Sequence, residues 1–189
     1  MLPDLLASVD GLWDELRVVD TGSTDGTVAL LEQAGATVIH RPWDDDFAAA
    51  RNAGLDGACG EWILFLDADE RVSPELYRSL ERTFEDRSAG AATILLRNDL
   101  PGGVRSETRL LRLFRNDPAV RFRHRIHEDV TEAVASYLES SGQRLVHLPG
   151  ILEHLGYVRD VAADRDKKER DLARVRRCLS NIVPQAFHV

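Results

Sequence analysis

The apolar positions of this chain alternate between two periods. Leu5, Leu6, Val9 and Leu12 recur at helical spacing behind Pro3, a residue that a first helical turn tolerates, so the chain is predicted to open on an amphipathic helix. Leu16-Arg-Val-Val-Asp20 is short and rich in branched residues and reads as a buried strand. It is followed by Thr21-Gly-Ser-Thr-Asp-Gly26, dense in turn and helix-capping side chains. Val28, Leu31 and the nearby alanines continue as a helix that Gly35 ends, and Thr37-Val-Ile-His40 supplies a second strand. Beyond the loop Arg41-Pro-Trp-Asp-Asp-Asp46, a helix from Phe47 to Ala58 ends near Gly60 and feeds a third strand, Trp62-Ile-Leu-Phe-Leu66. This alternation predicts an α/β fold with a mostly parallel central sheet and helices on both faces.

The second half changes character. Ser73-Pro74-Glu75 supplies a cap, a first-turn proline and a first-turn acid for a helix carrying Leu76, Leu80 and Phe84. Ala91 to Arg97 and Val104 to Leu113 then read as strands joined by Asn98-Asp-Leu-Pro-Gly-Gly103, a small antiparallel addition to the sheet. A strand at Val120 to Arg123, a helix around Val130 to Leu138, and short strands at Arg144 to Leu148 and near Ile151 follow. A charged helix from about Ala162 to Leu179 belongs to a C-terminal helical extension over 160–189. With no internal repeat or low-complexity linker, 1–189 reads as a single domain.

Composition narrows the classes. A chain of 189 residues can bury a full core, so it needs no disulfide framework. Its two cysteines, Cys59 and Cys178, read as buried thiols in a reducing cytosol. The 24 basic and 32 acidic side chains leave a net charge of -8, which argues against a protein that holds nucleic acid by its charge. Arg121-Phe-Arg-His-Arg125 reads as a strand with one solvated face. No apolar run approaches the roughly 20 residues that cross a bilayer, and Met1-Leu-Pro-Asp4 lacks the basic and apolar regions of a signal peptide. A cytoplasmic domain is expected, with peripheral attachment at a membrane left open.

Ligands of open parallel sheets sit beyond the carboxyl ends of the strands, and two predicted ends carry acids: Asp20 after Val18-Val19, and Asp67 and Asp69 after Leu66. Two carboxylates one residue apart at a rigid strand end suit a hard divalent cation whose remaining ligands are water and diphosphate oxygens. The bland alternative makes Asp67 and Glu70 caps of the loop before Ser73. It accounts for any one acid, but not for three in four residues directly after five apolar ones.

Three segments carry a resemblance. Val18-Val-Asp-Thr-Gly-Ser-Thr-Asp-Gly-Thr27, Asp46-Phe-Ala-Ala-Ala-Arg-Asn52 and Gly60-Glu-Trp-Ile-Leu-Phe-Leu-Asp-Ala-Asp-Glu70, in that order, resemble family-2 glycosyltransferases of the GT-A fold, over about Leu5 to Tyr157. The resemblance implies a GT-A-like three-layer architecture and a nucleoside-diphosphate sugar donor of UDP or GDP type. Asp20 would lie near the base, with Ser23 and Asp25 on the base and ribose rim. Arg51 would lie near the diphosphate or sugar. Asp67 and Asp69 would lie around a Mg2+ or Mn2+ ion, Asp69 being the first choice of direct ligand, and Asp67 and Ala68 would also line the donor site. The loop from Thr21 to Asp25 lacks the lysine of a P-loop, and its residues also suit a helix cap.

Farther on, His127-Glu128-Asp129 resembles the acidic motif that supplies the general base of inverting members: Glu128 is the first choice, Asp129 the second, and His127 an orienting group. Acids at a helix start are also favourable without any catalytic role. His154, in Leu152-Glu-His-Leu-Gly-Tyr157, is similar to a late histidine that completes the metal shell, against the reading of a structural histidine. Trp13, Trp43 and Trp62 read as core aromatics, Trp43 being the one to place near a sugar ring.

Family members begin with a further apolar strand ending near Lys-Asn-Glu, and this sequence starts after it. The sheet is therefore expected to lack one central strand and to expose unpaired backbone groups. Three explanations compete: a fragment of a longer protein, an edge covered by another copy, or an inactive remnant. The sequence thus predicts a metal-dependent, inverting glycosyltransferase acting on an acceptor that is a glycan, a lipid-linked molecule or a protein. The alternatives are a non-catalytic sugar-nucleotide-binding domain and a metal-dependent nucleotidyltransferase or phosphohydrolase, since an Asp-x-Asp strand end also suits phosphoryl chemistry.

Overall fold

A computed structural model describes residues 1–100 and 104–155. The elements run α1 (Leu2–Ser8), β1 (Arg17–Asp20), α2 (Thr27–Gln33), β2 (Thr37–His40), α3 (Phe47–Leu55), β3 (Trp62–Leu64), β4 (Glu70–Val72), α4 (Pro74–Glu85), β5 (Ala89–Leu100), β6 (Val104–Arg115), α5 (Thr131–Ser141) and β7 (Arg144–His154). The charged helix expected at 162–179, Tyr157 and Cys178 lie outside the described residues.

Local chemistry explains several boundaries. Asp46 caps α3 by accepting the amide of Ala49 at 2.8 Å, and Ser73 caps α4 by accepting that of Leu76 at 3.3 Å ahead of Pro74 and Glu75. The αL glycine Gly142, φ +70°, closes α5. α1 stops before the predicted Leu12: the chain turns at Gly11, φ +79°, and Leu12 reaches the same apolar cluster from outside the helix. α3 ends at Leu55, three residues before Ala58.

The central sheet is mixed rather than mostly parallel. β1 and β2 form a two-stranded parallel sheet of their own, while the other five strands lie in the order β3-β6-β5-β7-β4. Among the described residues of the larger sheet, only β5 and β7 run parallel; β3/β6, β5/β6 and β4/β7 are antiparallel. The strand–helix–strand pattern of the first half forecast parallel neighbours. However, β3 takes its partner from the long hairpin strand β6, and no ladder joins β3 to β1. The Val120 to Arg123 segment is not a strand; its one β-bridge pairs Arg123 with Asp129. β4 had no forecast, being three residues of which two are charged, yet all three are buried against β7. The two short strands foreseen near Leu148 and Ile151 are one strand, bulged where Gly150 sits at φ +93°.

Alternation along the long strands separates two apolar layers. Ala92, Ile94, Leu113 and Leu152 face a cluster built with Leu5, Val9, Leu76 and Leu80 of α1 and α4 and their flanks. Ala91 and Phe114, one residue out of phase, face Ala48 and Leu55 of α3, Val134 of α5, and Phe122. The five-stranded sheet is therefore covered on both faces, a three-layer α/β arrangement. Leu76 and Leu80 are wholly buried, each contributing about 2 kcal/mol by area removed from water. Neither cluster contains a residue of β1, α2 or β2.

Candidate active site

The site forms where the apolar run of β3 ends and the chain reverses through Asp67-Ala68-Asp69-Glu70. The reversal is closed from within. Glu70 donates its amide to the Asp67 carbonyl at 3.0 Å, and its carboxylate accepts the Asp67 amide at 2.8 Å. Arg71 adds a third tie by donating to the Ala68 carbonyl at 3.3 Å, while its other end meets Asp4 and the Met1 carbonyl on α1. The first helix thus braces the turn that carries the acids.

Two guanidinium groups converge on Asp67. Arg51, projecting from α3, donates to Asp67 Oδ1 at 3.1 Å and to Glu128 Oε1 at 2.8 Å, with its plane near the rings of Phe65 and Phe122. Arg112, from β6, donates to Asp67 Oδ2 at 3.3 Å and to Glu70 Oε1 at 2.5 Å. Burial alone would raise the Asp67 carboxyl, but Arg51 and Arg112 outweigh it and hold the group below its ordinary value. For Glu70, 1% exposed, burial prevails and pushes the carboxyl up to about 6 despite Arg112.

Asp69 points elsewhere. Its Oδ2 lies 3.1 Å from His154 Nε2 at the end of β7, and His154 Nδ1 lies 2.7 Å from Asn98 Oδ1 on β5. The pairing of β4 with β7 makes this meeting possible: Glu70 is in register with His154, and Leu155 donates its amide to the Asp69 carbonyl. A ring nitrogen and a carboxylate oxygen so close are reconciled by a proton on the imidazole or by a metal ion between them. Carboxylate with imidazole is a donor set that suits Mn2+ better than Mg2+. No group of three His, Cys, Asp or Glu side chains arranged to hold a metal ion occurs among the described residues. Asp69 and His154 therefore fit a divalent cation as two protein ligands whose other positions fall to water and ligand oxygens, whereas Asp67 faces the arginines.

Glu128 arrives on the irregular segment between Val120 and α5. Asn52 anchors that segment: its amide group donates to the Phe122 carbonyl at 2.9 Å and its oxygen accepts the Phe122 amide at 2.8 Å. One helix turn of α3 therefore carries both Arg51 and the clamp that brings Glu128 to it. His124 and His127 lie within the segment at φ +71° and +56°, a conformation uncommon for residues with a side chain. Asp129, exposed, closes a tight turn just before α5 by accepting the Thr131 amide and hydroxyl, and the hydroxyl bond is the main cause of its lowered carboxyl pKa. The geometry brings Glu128, and not Asp129, to Arg51.

The rim residues make their hydrogen bonds close by in sequence. Asp20 is buried and accepts the amides of Gly22 and Ser23; the Ser23 hydroxyl and these amides hold its carboxyl below the usual range, and His40 stands 3.6 Å away. Asp25 accepts the Thr27 amide at the start of α2, and Ser23 is exposed. Trp43 lies edge-on to Phe47 at 4.7 Å and donates its ring N–H to Asp45. Cys59 is exposed, contrary to the expectation of a buried thiol, because it sits in the turn between α3 and β3.

Arg112 escaped the sequence reading, and Glu70 entered it as a cap or as one acid of the cluster, without a partner. The available signal was an arginine interrupting Leu110-Leu-Arg-Leu-Phe114, a run otherwise fit for a buried strand.

The sequence profile described as Glycosyl transferase family 2 matches residues 2–137, a span that contains all three motifs and the Arg51–Glu128 contact. The chain belongs to this family. It is 41% identical over 172 residues to a TPR repeat-containing protein of Synechococcus elongatus, covering 90% of this chain and 42% of that protein. It is 32% identical over 129 residues to the glycosyltransferase SunS of Bacillus subtilis, covering 66% of this chain and 30% of that one. The chain thus spans less than half the length of either relative. Solved structures share the fold. The mannosyltransferase PcManGT of Pyrobaculum calidifontis, in complex with GDP-Man and Mn2+, aligns with a TM-score of 0.57 at 17% identity, over 86% of this chain and 55% of that one. Residues 1–349 of TarS from S. aureus align at 0.58 and 17% identity, over 81% and 56%. This is the GT-A-like fold expected from the motifs. No helix among the described residues is long and apolar enough to cross a membrane.

Proposed function

We propose that this glycosyl transferase family 2 domain moves a sugar from a nucleoside-diphosphate donor of UDP or GDP type to a hydroxyl-bearing acceptor, with inversion at the sugar carbon and with Mn2+ or Mg2+ as cofactor. The observation that carries the reading is Arg51, whose one guanidinium holds both an acid of the Asp67-Ala68-Asp69 turn and Glu128, 77 residues apart from Arg51 in sequence. Three segments distant in the chain meet at one point, with opposite charges in contact. Two structural neighbours lend support through their ligands: PcManGT was solved with GDP-Man and Mn2+, and TarS with UDP-GlcNAc.

In this reading the residues divide the work. Asp69 and His154 would hold the cation, which when bound offsets the charge that gathers on a departing nucleoside diphosphate. Arg51 reaches the diphosphate from the α3 side and shares that stabilisation. Glu128, half-buried beside Arg51, accepts the proton of the acceptor hydroxyl as it attacks opposite the leaving group. Asp20, with its loop, receives the base of the nucleotide.

Calorimetry with UDP- and GDP-sugars, with and without Mn2+, tests the reading. Metal-dependent binding that Asp69→Ala weakens at least tenfold is the expected outcome; no binding of any donor by the unmodified protein would sink it. A non-catalytic binding domain is the second reading, favoured by one observation: among the described residues, the two-stranded sheet that ends in Asp20 shares no ladder with the sheet whose strands β3 and β4 flank Asp67. Donor binding without transfer to any acceptor, and without hydrolysis, would select it.

A further inference from the structure

We propose that Arg112 is a positioning residue that sets the Asp67-Ala68-Asp69 turn for a metal–diphosphate ligand, an inference that rests on the donor-site reading above. Arg112 occupies the middle of β6 and is 6% exposed. A guanidinium there carries a large desolvation cost that only close partners offset. Its partners are specific. Oε1 of the equally buried Glu70 lies at 2.5 Å, Oδ2 of Asp67 at 3.3 Å, and the face of Phe65 at 4.9 Å from its central carbon.

The position of Arg112 is itself fixed by the sheet. Its carbonyl accepts the Phe65 amide at 3.1 Å, one step beyond the β3/β6 pair of Leu64 with Leu113. The backbone that delivers Asp67 and the side chain that orients it are thus locked to the same residue. Two lines run from Arg112 into the turn. One goes directly to the Asp67 carboxylate; the other goes through Glu70, whose second oxygen holds the Asp67 amide at 2.8 Å.

Packing alone does not explain an arginine here. Its Nε is buried without a hydrogen-bond partner among the described residues, a loss worth about 1–3 kcal/mol that an apolar side chain against Phe65 would avoid. With its side chain 7% exposed and its donors directed to Asp67 and Glu70, Arg112 offers little surface to a substrate. What the guanidinium contributes is orientation: it keeps one Asp67 oxygen turned inward, leaving the other to Arg51. Asp67 is thereby the fixed end of the turn that presents Asp69, the carboxylate assigned to the cation, and outer groups that orient a metal ligand are commonly worth about 10–100-fold in metal affinity.

The test compares Glu70→Gln with the double variant Glu70→Gln, Arg112→Met. Glutamine keeps an acceptor for the Asp67 amide and removes the buried charge that Arg112→Met alone would strand. Two quantities are read on the folded proteins: Mn2+–UDP and Mn2+–GDP affinity, and hydrogen exchange at residues 67–70. Relative to Glu70→Gln, the double variant is expected to lose about tenfold or more in affinity and to exchange about tenfold faster in the turn. Arg112→Lys, which restores a cation but not a fork, is expected to fall between. Unchanged affinity and unchanged exchange in a folded double variant would overturn the proposal. If the unmodified protein binds neither Mn2+–nucleotide, the donor reading fails, and the exchange measurement alone decides for or against Arg112 as the residue that sets the turn.

Discussion

At the scale of single residues, the site rests on side chains that serve the backbone of another segment. Asn52 is the clearest case. It lies in the Asp46-to-Asn52 motif beside Arg51, and its amide closes both the N–H and the C=O of Phe122. Those two backbone groups have no ladder to pair with, since the segment is not a strand, and a buried unpaired amide or carbonyl costs about 1–3 kcal/mol. Asn52→Ala is therefore expected to lower stability by about 2–3 kcal/mol in urea unfolding. It should also release Glu128 from Arg51, seen as a fall in turnover larger than any change in donor affinity. Retained turnover in the folded variant would show that the clamp is dispensable. Arg112 belongs to the same class, acting on Asp67 and Glu70 from behind the turn.

At the scale of elements, the packing of β7 on α4 decides where His154 ends up. Ser73 caps α4 and also accepts the Ile151 amide at 2.9 Å, and Gly150 passes so close that an added Cβ would stand 2.2 Å from the Leu76 amide nitrogen. Gly150 is besides at φ +93°, where side chains strain the backbone. Gly150→Ala should cost about 2–4 kcal/mol through overpacking and backbone strain together. Thermal unfolding checks it; a loss under 1 kcal/mol would mean that the β7 bulge relaxes freely. Because β7 pairs with β4, the same change is expected to loosen the Asp69–His154 contact and not only the fold.

At the scale of the whole molecule, stability is divided unequally. The two apolar clusters on the faces of the five-stranded sheet recruit α1, α3, α4 and α5, but no residue of β1, α2 or β2. The β1-α2-β2 unit is held to the rest through α3, where Arg17 donates to the Gly54 carbonyl at 2.9 Å and a Cβ added at Gly54 would stand 3.3 Å from Val19. Amides of β1 and β2 are therefore expected to exchange by sub-global opening, well before those of β5, β6 and β7, which open only with global unfolding. Native-state hydrogen exchange reads the order directly, and equal protection in both sheets would contradict it. The expected softness falls on the unit that carries Asp20, so a nucleotide that binds there should raise protection in β1 more than in β5.

The sequence by itself determined what short-range physics specifies. Apolar periodicity, caps and glycines placed most helices and strands, and acids directly after β-type runs marked Asp20, Asp67 and Asp69, because those signals lie within a few residues of one another. The family followed from three local motifs in order. Tertiary structure alone decided which strands pair, since β3 taking β6 as its neighbour depends on segments some fifty residues apart that no local period encodes. It alone exposed Arg112, whose apolar neighbours predicted a strand but not a partner, and it chose Glu128 over the adjacent Asp129 for the contact with Arg51. Charge meets charge here through folding, and the sequence shows only the charges.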